Sequence, residues 1–362
     1  MPPAQAIPDE YRRILRSYRM PAEWEPHLAT YVVWPHNRDT WPGKFDLIPP
    51  IFARMAAAIA EFEPVRILVN TYGEIGGVRE MIRAVATPPS MSRIEIIAIP
   101  TNDSWIRDHG PIFVLNRVAA ADGPKQIALD WRFNSWGEKY GPFDLDDVVP
   151  RRLAERYGFG VIEPGIVLEG GSIDPNGEGS ILTTESCLLN PNRNPKLGRA
   201  EIEDYLKTFL GVNNILWLGD GIAGDDTDGH VDDLARFVAR DTIVTVTESD
   251  PSDANYRALA DNLKRIRAMR DADGRPFKIE TIPMPPALHY DNTRLPASYA
   301  NFYIVNGGIL MPTFGCAADS IAAATLARLI PGRRVVGIPS TDLVWGLGAI
   351  HCLTQQHPQP PA

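Results

Sequence analysis

A mixed α/β fold, with strands arriving close together ahead of a helix, is what this sequence predicts, on three observations. Short β-branched runs alternate with amphipathic helical runs along the 362 residues, with no low-complexity linker between them. Strands often come in close pairs before the next helix. No G-x-G-x-x-G follows the first strand and no G-x-x-x-x-G-K-[ST] occurs anywhere, which removes the two common nucleotide-binding patterns.

Taken in order, Tyr31–Trp34 reads as a strand closed by Pro35. Ile48 to Phe62 reads as a helix, because Ile51, Phe52, Met55, Ile59 and Phe62 recur at helical spacing. Val65–Asn70 is a buried strand, Gly77 to Ala86 a helix, and Ile94–Pro100 and Ile112–Leu115 two further strands. Ala200–Leu210, Asn255–Met269 and Ser320–Leu329 read as helices. Ile243–Val246, Ile309–Met311 and Arg334–Pro339 read as strands. A ββαβ unit recurring several times would fit the length and the paired strands, although no residue-level repeat is visible.

The composition is that of a globular chain, 44% hydrophobic and 22% charged. No apolar run approaches the roughly 18 residues that span a bilayer. Met1 to Met20 is polar and carries Arg12, Arg13 and Arg16, unlike a secretory or transit segment, so the cytoplasm is the expected compartment. The formal charge of −9 argues against nucleic acid and anionic membrane as partners and suits a small cation. Three scattered cysteines, Cys187, Cys316 and Cys352, form neither a disulfide framework nor a C-x-x-C metal site.

Polar clusters stand where apolar runs end. Asn102–Pro111 contains Asp103, Trp105, Arg107, Asp108 and His109; its plain reading is a solvated loop with Arg107 paired to Asp103. Gly224–Asp233 holds five aspartates and His230. In a strand, His230 and Asp232 would face one side, joining a carboxylate to a group that titrates near neutrality. A metal site, or Asp225 and Asp226 capping a turn, are the other readings. Trp345–Gln356 delivers Cys352 from a glycine-flexed loop beside His351, which suits a nucleophile. Cys187 and Cys316 lack that setting and read as packing residues. Glu169 closes an apolar run before Gly170–Gly171, where backbone can approach a ligand closely or simply turn.

In this order the segments resemble the agmatine deiminase family of guanidino-group-modifying enzymes, related to arginine deiminases and Porphyromonas-type peptidylarginine deiminases. The matching strings are W-P-H-N (34–37), N-D-S-W-I-R-D-H-G-P (102–111), L-E-G-G-S-I (168–173), L-T-T-E-S-C-L-L-N-P-N-R-N-P (182–195), G-D-D-T-D-G-H-V-D-D (224–233), Y-A-N-F-Y-I-V-N-G (299–307) and I-H-C-L-T-Q-Q (350–356). They span about Met20 to Gln356. The resemblance implies a five-bladed, pseudo-symmetric ββαβ propeller of the pentein kind. It implies one domain over residues 1–362, with a catalytic core of about 20–356.

It also implies roles. Cys352 matches the nucleophile and His230 the general acid/base. Asp108 and Asp232 match the carboxylates that grip a guanidinium, and Glu169 the glutamate supporting the histidine. Trp105 and Asp226 match substrate-binding positions. Leu347 and Ala349 depart from the family string W-G-G-G-N-I-H-C, standing where it has a glycine and the asparagine. The implied reaction takes agmatine to N-carbamoylputrescine and ammonia through a covalent thiouronium, with no metal or organic cofactor. Deimination of peptidyl-arginine or free arginine is the alternative, and a non-catalytic guanidine-binding module a further one. Free arginine needs a cation for its α-carboxylate, and Arg107, Arg132, Arg193 and Arg236 are unassigned. A papain-like acyl hydrolase would place Cys before His, whereas here the order is Asp108, His230, Cys352. A homodimer is a further expectation.

Overall fold

The structure, a computed structural model, describes residues 7–117 and 123–361. Met1–Ala6, part of the polar start, lie outside the described residues. The strands follow from their composition: Val65–Val69 and Ile94–Ala98 are short apolar runs that pair in parallel, as strands covered on both faces do. Ile48–Ala60 is helical, with Ile48, Phe52, Met55 and Ile59 buried, each worth about 1.5–3 kcal/mol. It stops before Phe62, where Glu61 closes the last turn onto Ala58 and Ile59 carbonyls.

Five of the six sheets among the described residues repeat one pairing scheme. Two strands pair antiparallel, a helix follows, and a third strand returns parallel to the second. Ile112–Asn116, Gln126–Leu129 and Gly160–Ile162 do this around the helix Val149–Tyr157. Asp174–Pro175, Ser180–Thr184 and Asn214–Leu218 follow, around Arg199–Leu210. Ala235–Ala239, Thr242–Thr247 and Lys278–Pro283 follow, around Tyr256–Ala268. Tyr303–Val305, Gly308–Thr313 and Arg334–Pro339 follow, around Ala317–Leu329. The remaining unit joins the chain's two ends. Gln355–Pro358 pairs antiparallel with His27–Val33, which pairs parallel with Val65–Val69 across the helix Ile48–Ala60. The paired-strand expectation is therefore met, and the repeat lies in the pairing rather than in residue identity.

Some local expectations differ from the structure. The helix expected at Gly77–Ala86 spans Glu74–Arg83, because the Glu74 carboxylate accepts from Asn70 N–H and Thr71 Oγ1 and so organises an earlier start. His230 and Asp232 are not in a strand: Val231–Asp233 is a 3-10 turn with His230 just before it. It leads directly into Ala235–Ala239.

That placement recurs. Each unit is entered by a short turn before its first strand. Ile106–His109 precedes Ile112, Gly170–Ser172 precedes Asp174, Val231–Asp233 precedes Ala235, and Ser298–Asn301 precedes Tyr303. The stretch holding Cys352 precedes Gln355. The candidate chemistry is distributed over these entry turns.

Candidate active site

Ile106–His109 is a single helical turn that buries Asp108. The Asp108 carboxylate accepts from Gly171 N–H at 2.9 Å through Oδ1 and from Trp136 Nε1 at 3.0 Å through Oδ2. His230 Nδ1 lies 3.7 Å from the same Oδ1. Gly171 is where three entry turns meet. A Cβ there would fall 2.5 Å from His230 Nδ1, 2.8 Å from Asp108 Oδ1 and 3.1 Å from Asp232 Oδ2. Only glycine leaves room for that convergence.

Cys352 lies on the other side of Asp232, its Sγ 3.7 Å from Asp232 Oδ2. That oxygen also meets His351 Nδ1 at 2.7 Å, while His351 Nε2 meets Glu23 Oε2 at 2.7 Å. Asp232 Oδ1 is buried and has no hydrogen-bond partner among the described residues. Behind this row, Arg236 spans Glu23 at 2.8 Å and Asp174 at 2.6 Å. Arg107 donates to Gln356 Oε1 at 2.8 Å and approaches Glu23 at 3.6 Å. The solvated-loop pairing of Arg107 with Asp103 does not form. Arg107 is 3% exposed, and Asp103 accepts from Thr40 and Asn37 instead. Burial forces each charge onto a partner of opposite sign.

The electrostatics follow from this arrangement. Burial pushes the Cys352 thiol well above its ordinary range, and Asp232, Asp233 and Asp108 add to the shift. Burial alone would lower His230, but Asp108, Cys187 and Asp232 hold it well above an ordinary imidazole. Asp108 is raised by burial and by Asp232 and Glu169, with His230 opposing. Asp232 is lowered despite burial, because His351, His230 and Arg236 outweigh the desolvation. Glu23 is lowered in the same way by Arg236, His351 and Arg107. His351 is thus held between two carboxylates, Asp232 and Glu23.

Glu169 accepts from Arg193 Nε at 2.6 Å through Oε1, and its Oε2 is buried without a partner among the described residues. Donor atoms of Glu169, Cys187 and His230 lie within 4.8 Å of one another. Cys187 packs in an apolar cluster as expected, but it also borders His230, which its sequence setting did not indicate. Such a trio is a metal-type donor set; here the Arg193 guanidinium already neutralises the carboxylate. The five aspartates of 224–233 disperse. Asp225 organises the turn through Thr227 and His230 N–H, and Asp228 pairs with Lys139 and Arg193. Asp226 accepts from Tyr140 Oη.

A cavity of about 530 Å³ opens onto this row. Asp108 and Cys352 reach it from the buried side, and Trp105, Trp136, Tyr140, Asp226, Trp345 and Leu347 stand along its walls. His230, Asp232 and Glu169 sit behind that lining. Gly348 lets the loop close onto the site: a Cβ there would come 2.6 Å from the Trp105 ring and 3.1 Å from Cys352 Cβ. Leu347 closes the preceding 3-10 turn at φ 69°, ψ 20°, left-handed backbone that a leucine adopts at a cost of about 1–2 kcal/mol. Asn301, Glu23 and Trp136 were not singled out from the sequence, and His351 was noted only as the neighbour of Cys352. Asn301 and His351 lie inside strings that match the family, which is the one signal that pointed there.

A thiol, an imidazole and two carboxylates stand together on the turns of a repeating α/β frame, at the inner end of one cavity. Comparison with known proteins gives the particular family. The model of the Porphyromonas-type peptidyl-arginine deiminases matches residues 19–358, and the chain belongs to that family. It is 38% identical over 366 residues to an agmatine deiminase of Stutzerimonas stutzeri, covering 95% of this chain and 96% of the relative. Among solved structures it resembles agmatine deiminase of Enterococcus faecalis, with TM-score 0.89 and 32% identity, covering 99% of each chain. It also resembles a C. jejuni agmatine deiminase carrying a Cys-to-Ser substitution with substrate bound, with TM-score 0.85 and 30% identity, covering 95% of this chain and 99% of that one.

Proposed function

We propose that this chain is an agmatine deiminase, hydrolysing agmatine to N-carbamoylputrescine and ammonia. The observation that carries the choice of substrate is the charge of the cavity. Among the described residues, Asp39, Asp103, Asp108 and Asp226 line it, against Lys139 alone among Lys and Arg. Lys139 is already bonded to Asp228 Oδ1 at 2.8 Å. None of Arg107, Arg132, Arg193 and Arg236 lines it. Such a wall suits a dication and leaves an α-carboxylate without a counter-charge. Asp226 is the carboxylate for the distal ammonium, and Trp105 packs on the methylene chain.

The guanidinium sits between Asp108 and Asp232, whose carboxylates match its charge and fix its central carbon. Its arrival offsets the negative field that holds the Cys352 thiol protonated. The Cys352 thiol then gives up its proton to solvent, and the thiolate attacks the central carbon, forming a C–S bond and a tetrahedral adduct. His230, as imidazolium, gives its proton to the departing nitrogen. The C–N bond breaks and ammonia leaves. Water then adds to the thiouronium carbon, with neutral His230 taking one of its protons; the C–S bond breaks as the second proton leaves to solvent, returning the thiolate and a urea product. Glu169 stands behind His230 and orients it. No step calls for a metal or organic cofactor.

We further infer that the five repeating units form a pseudo-fivefold ββαβ propeller around a central channel, making residues 1–362 one domain. The support is the common pairing scheme and the sheet shared by the two ends of the chain. Free Cys187, Cys316 and Cys352 suit a reducing compartment such as the cytoplasm. A homodimer is testable by light scattering. The decisive experiment incubates the protein with agmatine, arginine and an arginyl peptide, and measures ammonia beside Cys352→Ser. Release from agmatine that vanishes in the variant supports the reading; preferential release from arginine or the peptide overturns the choice of substrate.

A further inference from the structure

Residues 134–141 form a strap that joins Asp108, at the inner end of the cavity, to Asp226 on its wall. Ser135, Trp136 and Glu138 take left-handed backbone around Gly137, at φ 52°, 55° and 63°, which such residues keep only where their surroundings hold them. Asn134 supplies part of that hold: its Oδ1 accepts from Gly137 N–H at 3.0 Å, and its Nδ2 donates to the Asn192 carbonyl at 2.9 Å. Trp136 reaches inward to Asp108, and its ring meets that of Tyr140 edge-on, with 5.9 Å between centroids. Tyr140 in turn donates its hydroxyl to Asp226 Oδ2, while Lys139 donates to the Asp226 backbone carbonyl and to Asp228. Among the described residues the Asp226 carboxylate has no ion-pair partner. It is aimed by a neutral donor, and its charge stays available.

We propose that Tyr140 is the positioning residue that sets the chain length of the substrate, by fixing Asp226 at one distance from the guanidinium pocket. One stretch of backbone carries both ties: Trp136 bonds the carboxylate that meets the guanidinium, and Tyr140 bonds the carboxylate assigned to the distal ammonium. A carboxylate on a half-buried turn is by itself a tolerant partner, because its side chain can swing to follow a shorter or a longer chain. A phenol that donates to it removes that freedom and leaves its charge in place. A lysine or arginine there would compete with the ammonium of the substrate. Burial and Asp226 both raise the Tyr140 phenol, so it remains a donor at neutral pH. The inference deepens the reading of the site as one for agmatine and rests on it.

The test compares full-length wild type, Tyr140→Phe and Tyr140→Ala on agmatine and on the aminoalkylguanidines one methylene shorter and one longer, with kcat and KM read from ammonia release. Tyr140→Phe keeps the ring against Trp136 and removes only the bond to Asp226. It is expected to raise KM for agmatine about tenfold with kcat within about twofold of wild type. The homologues should change less, so that the preference for agmatine in kcat/KM narrows by at least about fivefold. Tyr140→Ala, which also opens the cavity wall, should narrow it further. A Tyr140→Phe protein that keeps the wild-type ratio of kcat/KM between agmatine and its homologues overturns the proposal, whether its rates are unchanged or fall equally on all three. Wild-type preference for arginine over every one of the three amines would instead overturn the choice of substrate on which the proposal rests.

Discussion

Gly171→Ala tests most directly whether the site's geometry is set by backbone proximity. Gly171 does not use left-handed backbone, so alanine is conformationally acceptable there and any effect comes from the new methyl group. That carbon would lie 2.5 Å from His230 Nδ1 and 2.8 Å from Asp108 Oδ1. Comfortable contact is about 3.5 Å, so the imidazole has to retreat by about 1 Å. A misplacement of that size costs on the order of 100-fold in rate, or about 2.7 kcal/mol on the barrier. KM should rise as well, because Asp108 and Asp232 are displaced by the same methyl. Overpacking of a filled site adds about 1–3 kcal/mol of destabilisation. Steady-state ammonia release from agmatine and a thermal melt measure both effects. A folded Gly171→Ala protein with kcat within about threefold of wild type, less than 1 kcal/mol on the barrier, would refute the reasoning.

Four further outcomes are expected. Cys352→Ser should lose turnover yet bind agmatine, seen by calorimetry, because both carboxylates remain. Asp108→Asn removes one group that raises the thiol, so alkylation of Cys352 at neutral pH should quicken while agmatine turnover falls. Glu23→Gln should cost about 3–5 kcal/mol by leaving Arg236 and Arg107 short of counter-charge. The Glu23 carboxyl is depressed in the fold, so its contribution is complete above its unfolded value of about 4.3 and is lost as pH falls below that. The variant should therefore show a flatter acid limb in denaturation. Leu347→Gly relieves left-handed backbone strain, so its melting temperature should not fall, while it opens the wall where Leu347 stands and admits bulkier guanidines.

The sequence resolved most of what depends on local pattern. Helical spacing located Ile48–Ala60 and Tyr256–Ala268 to within a residue or two, because an amphipathic face is written in consecutive side chains. Short strands such as Gly160–Ile162 and Gln355–Pro358 escaped it. They are only a few residues long and owe their pairing to partners far along the chain: Gln355–Pro358 adds to a strand more than 300 residues earlier. Cys352, His230, Asp108, Asp232 and Glu169 were legible as polar residues at the ends of apolar runs, and as matches to a family.

What sequence by itself determined was the list of chemical groups and the alternation that makes the frame α/β. Only the tertiary structure decided how those groups are shared. It put His230 at the start of a 3-10 turn, set Gly171 between three of the polar groups, and turned Asn301 toward the sulfur. It also placed Glu23, from near the start of the chain, against His351 near its end. The physical reason is that periodicity reports which face of an element is buried. Which charges meet once buried is fixed by closure of distant units against one another, and in low dielectric those meetings govern the thiol and the imidazole.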